Sequence, residues 1–282
     1  MKINEVIAKI KAYHKGIDIK GNPIDETTTR DKILYGDSNR ECTGIITTCF
    51  ASTEVIINAI EKGANLIISH EALFWNHGDH TDWLADNQVF LAKKKLLEDH
   101  GIVVWRDHDY IHSGIPMRNG DYTDGIFYGL MKVMNWDSYL VSSINLPILY
   151  EIPKTTLKAF ADDIMNKIHL SGIKVIGDPN TEVKRFLIGR HIMGPGDNEK
   201  ITEVENGNID VVLSLEVIDY TVSEYIRDAS QLGWPKAILA VGHFNLEEPG
   251  MAYMIEYLPQ LFDHKIPCAY VQSGDSYHFF TR

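Results

Sequence analysis

The stretch Ala59-Ile60-Glu61-Lys62-Gly63-Ala64-Asn65-Leu66-Ile67-Ile68-Ser69-His70-Glu71 decides the fold class. Its first residues close a helical pattern that begins at Ser52 and puts Val55, Ile56, Ala59 and Ile60 on one face. Gly63 follows as a C-cap, and Asn65 to Ser69 then reads as a buried strand. That strand ends on two side chains able to bind metal, His70 and Glu71. Strand–helix–strand order with near-continuous Ile/Val/Leu strands predicts parallel-type sheets covered by helices on both faces. Ligands in such sheets gather beyond the carboxyl ends of the strands, where His70 stands.

Working outward, the same unit occurs twice. Gly36-Asp37-Ser38-Asn39-Arg40-Glu41 leads into the strand-like Thr43-Gly44-Ile45-Ile46-Thr47. Gly177-Asp178-Pro179-Asn180-Thr181-Glu182 leads likewise, through Val183-Lys184-Arg185, into Phe186-Leu187-Ile188-Gly189. The strand ending in His70-Glu71 has its counterpart in Asp210-Val211-Val212-Leu213-Ser214, which ends in Leu215-Glu216. Each half then offers a further buried strand, Ile102-Val103-Val104-Trp105 and Ala237-Ile238-Leu239-Ala240-Val241. They run toward His108-Asp109-Tyr110-Ile111-His112 and His243-Phe244-Asn245-Leu246-Glu247, both of the form His-x-x-x-donor. Residues 116–130 read as irregular, and Thr155 or Thr156 caps a helix that runs to Lys167. The expected organisation is an α/β fold of two pseudo-repeated lobes with mixed, largely parallel sheets, residues 1–150 and 151–282, with the metal site between them.

Bulk properties set the class of partner. Three cysteines without CxxC spacing indicate neither a disulfide framework nor a thiolate zinc site. With 39 acidic residues against 27 basic ones the formal charge is −12, which disfavours nucleic acid unless a basic stripe intervenes. Lys93-Lys94-Lys95 reads as a solvated helix face. No apolar run reaches the ~18 residues of a membrane helix and no signal peptide opens the chain, so a soluble, cytoplasmic protein is expected. Trp75, Trp83 and Phe90 read as core or oligomer-contact aromatics.

Twelve histidines exceed what packing requires, and several stand beside carboxylates. His70, His112 and His243 with Glu71 and Glu247 form a mixed imidazole and carboxylate donor set suited to zinc, iron, manganese, cobalt or nickel. Two divalent ions carry more positive charge than two carboxylates cancel, so such a centre suits a small anionic substrate and hydrolysis by an activated water. His108 and Glu216, one step from the ligand-bearing segments, are the candidates for orientation or proton transfer. Taken singly, each feature has an ordinary structural role: Glu71 as a first-turn helix acid, His243 and Glu247 as a helix-face pair. His77, His80, His100, His169, His191, His264 and His278 stay in that ordinary class.

The chain resembles the Nif-three-like dinuclear metal-centre hexameric proteins, the GTP cyclohydrolase I type 2 homologues. The resemblance rests on Ala59 to His70, on Val175-Ile176-Gly177-Asp178-Pro179 with Val183-Lys184-Arg185, and above all on Gly242-His243-Phe244-Asn245-Leu246-Glu247-Glu248-Pro249-Gly250. It implies two metal ions per subunit, a homohexameric assembly, and His243 and Glu247 as ligands. The family's His-His pair falls on His70 and Glu71, and its aspartate ligand on His112. This exchange keeps the donor inventory at three imidazoles and two carboxylates, with Asp107 and Asp109 as alternative carboxylate donors. The family's Asp-Asn-x-Gly-Leu stretch is replaced by Thr27-Thr28-Thr29-Arg30-Asp31-Lys32. What the resemblance implies is a hydrolase acting on a small phosphorylated or nucleotide-like molecule, or else a metal-binding scaffold or regulator without turnover.

Overall fold

The computed structural model describes residues 1–280 apart from 77, 190 and 195, so His77 lies outside the described residues. The chain runs α1 (Ile3–Tyr13), β1 (Ile33–Tyr35), β2 (Ile45–Thr48), α2 (Thr53–Glu61), β3 (Leu66–Ser69), α3 (Gln88–Asp99), β4 (Val103–Arg106), α4 (Asp109–Ser113), β5 (Ile115–Pro116), β6 (Tyr122–Thr123) and α5 (Gly125–Met134). It continues with β7 (Ile148–Thr156), α6 (Leu157–Lys167), β8 (Lys174–Ile176), β9 (Glu182–Ile188), α7 (Asn198–Asn206), β10 (Val211–Ser214), α8 (Val222–Gln231), β11 (Ala237–Ala240), α9 (His243–Tyr253), α10 (Leu258–Leu261) and β12 (Cys268–Tyr270). Two compact units divide it: Met1–Gly129 with Glu247–Ser273, and Leu130–Leu246 with Gly274–Arg282.

The first unit holds a sheet ordered β1-β4-β3-β2-β12, parallel except for the edge strand β1. Every residue of β2, β3 and β4 is buried, as parallel strands covered on both faces require. Ile46, Ile67 and Val104 lie side by side and pack with Val55, Ile56 and Ala59 of α2 and Leu97 of α3. The next residue along β2, Thr47, faces the other way, and its hydroxyl donates to the Met251 carbonyl of α9 at 2.8 Å. The Ser52 hydroxyl accepts from the Val55 N–H as the N-cap of α2, and Gly63 takes φ +68° at the helix end.

The second unit repeats the three-strand parallel core, with β7-β9-β10-β11-β8 as its sheet order and β7 antiparallel to β9 where β12 is parallel to β2. Parallel β9, β10 and β11 correspond to β2, β3 and β4, and antiparallel β8 flanks β11 as β1 flanks β4. Leu187, Val212 and Ile238 form its core with Val204 of α7 and Val222 and Ile226 of α8. Trp136, Tyr150, Phe160 and Phe186 form an aromatic cluster with ring centroids 4.7–6.0 Å apart.

Two sequence expectations are corrected. Lys93 is buried: its ammonium donates to the Leu73 carbonyl at 2.8 Å and lies 4.6 Å from the Phe50 ring. Burial pulls the Lys93 ammonium down to about 8, and the contact ties α3 to the loop that follows Glu71. Residues 116–130 contain most of α5, because Asp124 accepts from the N–H groups of Ile126 and Phe127 and caps an apolar run that its glycines disguise. Of the three aromatics, Phe90 joins the core, whereas Trp75 and Trp83 are exposed.

Helices α5 and α9 approach backbone to backbone through glycine. A Cβ on Gly250 would lie 2.4 Å from the Ile126 Cα, and one on Gly129 would lie 2.6 Å from the Gly250 Cα. Gly250→Ala should therefore cost about 1–3 kcal/mol by overpacking. In urea melts this appears as a lower midpoint at unchanged slope; an unchanged midpoint would contradict the close approach.

Candidate metal centre

Strand register brings the donors together. In the first unit Thr48 pairs with Ser69 and Ser69 with Arg106, so β2, β3 and β4 end level and release Cys49, His70 and Asp107 along one edge. The Ser69 hydroxyl donates to the Glu71 carbonyl at 2.9 Å and shapes the turn after β3. His70 is completely buried. Its Nδ1 lies 3.0 Å from the Asp107 carbonyl oxygen, which can only accept, so Nδ1 carries the proton and Nε2 keeps its lone pair. Nε2 has no hydrogen-bond partner among the described residues and lies 3.5 Å from Glu247 Oε2. Burial, then the His108 and His112 rings, hold the His70 imidazole well below the usual histidine range, in the neutral form that coordinates metals.

His108 and His112 join it from α4. The Asp31 carboxylate accepts from the N–H groups of His108, Asp109 and Tyr110, pinning the start of that helix. Burial raises Asp31 to about 6 against the pull of these donors. The two histidines lie one helical turn apart, their ring centroids separated by 4.9 Å, and stand 4.5 and 5.0 Å from the His70 ring. His108 Nδ1 is 3.0 Å from Asp109 Oδ1, and His112 Nδ1 is 2.8 Å from Asp124 Oδ2. Burial alone would lower His112, but the Asp124 carboxylate outweighs it and lifts the imidazole to about 9. Both rings are thus anchored at Nδ1, and the Arg30 guanidinium lies 3.4 Å from both nitrogens of the His108 ring.

Two groups of potential ligand atoms result in this unit, His70-His108-His112 and His70-Glu71-Glu247, the atoms of each within 4.8 Å of one another. Glu71 does not start a helix; it is buried, and its Oε2 lies 3.1 Å from the Arg106 guanidinium, itself wholly buried. Arg106 also donates to the His70 carbonyl at 3.1 Å. The alternative carboxylates are placed otherwise. Asp109 accepts from Thr29, the Arg30 N–H and His108; burial opposes its ionisation, but these donors hold it well below the usual range. Asp107 and His14 are buried 3.8 Å apart. Burial and the Asp31 charge push the Asp107 carboxyl well up, and burial pulls His14 down to about 3, so both are neutral.

In the second unit His191, Glu216 and His243 follow the ends of β9, β10 and β11, and their ligand atoms also lie within 4.8 Å of one another. His191 Nδ1 contacts Glu216 Oε2, and His243 Nδ1 contacts Glu216 Oε1. Burial works against the Glu216 charge, but these two imidazoles outweigh it and keep the carboxyl below its ordinary value. The Ser214 hydroxyl donates to the Glu216 carbonyl at 2.7 Å, the same turn that Ser69 makes with Glu71. His191, which sequence alone leaves in an ordinary polar role, therefore belongs to a donor cluster. Its separation from the apolar run of β9 hides it in sequence.

The fold and these clusters define an α/β protein with His/Glu donor sets of metal-binding type at the ends of parallel strands. The model of the DUF34/NIF3 family, described as Duf34/NIF3 (NGG1p interacting factor 3), matches residues 26–274, and the chain belongs to that family. A Staphylococcus aureus (strain MRSA252) protein named GTP cyclohydrolase 1 type 2 homolog is 25% identical over 75% of this chain; the chain spans 52% of that relative's length. A Clostridium perfringens protein of the same name is 22% identical over 94% of both chains. Among solved structures, a Staphylococcus aureus hypothetical protein matches 99% of both chains with TM-score 0.70 at 20% identity. A Bacillus cereus protein related to NIF3 does the same at 12% identity, also with TM-score 0.70. Both likenesses show the shared fold. No helix among the described residues is long and apolar enough to cross a membrane.

The Glu71–Arg106 pair yields a stability prediction. Glu71→Ala removes one of two carboxylates beside the buried Arg106 guanidinium, the other being Asp79 at 3.5 Å, and should cost about 1–3 kcal/mol. Adding Arg106→Met should recover part of that loss in denaturant melts. Additive losses from the two changes would show that the pair is not coupled.

Proposed function

We propose that the chain is a divalent-metal-dependent hydrolase of a small phosphorylated or nucleotide-like molecule, resembling a GTP cyclohydrolase, with two ions per chain. The ligands proposed are His70, Glu71, His112, His243 and Glu247, with His108 and Glu216 orienting neighbours or moving protons. One observation carries this reading: the buried His70 Nε2 has no hydrogen-bond partner among the described residues and lies close to the Glu247 carboxylate. A buried polar atom without a partner costs about 1–3 kcal/mol, and a cation of the zinc, iron, manganese, cobalt or nickel type fits this imidazole and carboxylate set. The name shared by the relatives supports the same chemistry.

When bound, such an ion lowers the pKa of water toward neutrality and polarises an oxygen of the substrate. The protein's own groups do the rest. Asp107 O, Asp109 and Asp124 hold the Nδ1 atoms of His70, His108 and His112, so the rings meet a ligand without reorienting. Arg106 balances Glu71, so Glu247 is the carboxylate left to offset a bound divalent ion, which would keep surplus positive charge and favour an anionic substrate. His108, half-buried beside Asp109, would take or return a proton.

Metal-loaded protein screened against GTP, other nucleotides and phosphoesters should show turnover that His70→Ala lowers by at least about a hundredfold, together with lost metal. Full metal content without turnover of any substrate would instead identify a scaffold or regulator. The proposed homohexamer should scatter light as six times the 32.0 kDa chain, and a monomer would refute it.

A further inference from the structure

The second unit carries a donor set that the reading above uses only in part. His191, Glu216 and His243 come from the ends of three adjacent parallel strands, and each oxygen of Glu216 faces a different imidazole. Gly242, at φ +114°, makes the turn that brings His243 out of β11; a Cβ there would lie 2.4 Å from Asn245 Oδ1. Asn245 is in turn held by Asp275 at 2.8 Å, which fixes the first turn of α9.

We propose that His191, Glu216 and His243 form a metal site of their own in the second unit, a two-histidine, one-carboxylate set that takes one borderline divalent cation. This rests on the reading that the chain binds metal, and it gives the ion at His243 two further ligands: His191, which that reading does not use, and Glu216, to which it gives an orienting or proton-moving role. Two imidazoles and one carboxylate are the donor set of open zinc and non-haem iron sites, which keep positions for water or substrate. The exposures agree with an open site, at 44% for the His191 side chain, 35% for Glu216 and 21% for His243. Gly189 and Ile192, which flank His191 in sequence, line a cavity of about 350 Å³ with Leu187, Lys200, Val212 and Val222, and the three donors are not among its lining residues. Lys200 also donates to the His191 carbonyl and pairs with Asp197, which holds that segment in place. In the first unit His70, Glu71 and Glu247 are buried, whereas this set is accessible to exchanging ions.

The test is metal stoichiometry on the full chain, purified without a histidine tag and titrated with zinc or cobalt(II). Wild type should bind two equivalents, and His191→Ala and His70→Ala should each bind one. The ion retained by His70→Ala should show the cobalt(II) absorption of a low-symmetry nitrogen and oxygen site, and Glu216→Gln should weaken its binding by at least about tenfold. Circular dichroism checks that each variant folds; His191 is exposed enough that its removal should leave the fold intact. If His191→Ala and Glu216→Gln both retain two equivalents at unchanged affinity, the second site is refuted while the metal-protein reading stands. If wild type binds one equivalent that His191→Ala abolishes and His70→Ala keeps, the second site stands and the first-unit centre falls. No binding by wild type refutes both.

Discussion

A buried imidazole meets a metal best when a hydrogen bond fixes one ring nitrogen and leaves the other for the ion, and in the first unit His70 satisfies that constraint. His70 is held at Nδ1 by a backbone carbonyl and His108 and His112 by aspartates, whereas in the second unit the Nδ1 atoms of His191 and His243 face the two oxygens of one glutamate. The acceptors come from separate elements: Asp107 follows β4, Asp109 opens α4, Asp124 caps α5 and Glu216 follows β10. Each does structural duty as well, so the placement of the donors and the stability of the surrounding helices rest on the same hydrogen bonds. Asp31 extends the principle one step outward by pinning the start of α4 through three backbone N–H groups.

Register supplies the other half of the geometry. Because β2, β3 and β4 are parallel and end level, residues consecutive to unrelated strands emerge together, and the same holds for β9, β10 and β11. The paired turns Ser69-His70-Glu71 and Ser214-Leu215-Glu216 show the repeat at the level of single hydrogen bonds. Divergence is equally local. Where the first unit has His70 the second has Leu215, and where Glu71 is balanced by buried Arg106, Glu216 is balanced by two histidines.

Much of this was legible in the sequence. Strands β3, β4, β10 and β11 are unbroken apolar runs, and the helix over α2 announces itself by Ser52, its 3.6-residue periodicity and Gly63. Residues that directly follow an apolar strand, such as His70 and Glu71, are easy to suspect. What escaped depends on contacts between distant segments. Arg106 reads as the last residue of a strand until Glu71 is seen beside it, and Lys93 reads as one of three solvated lysines until Phe50 and the Leu73 carbonyl enclose it. Asp124 was visible as a cap only to a reader who discounted Gly125 and Gly129, and His191 owes its place to Glu216, 25 residues away.

An anomalous-difference map of crystals grown with zinc or cobalt tests the central claim most directly, because it locates ions without reference to turnover. A peak bonded to His70 Nε2 at roughly 2.0–2.2 Å, with Nδ1 still on the Asp107 carbonyl, is the predicted result. A map with no ion at that nitrogen, or with the ring turned so that Nδ1 faces the metal, would contradict it.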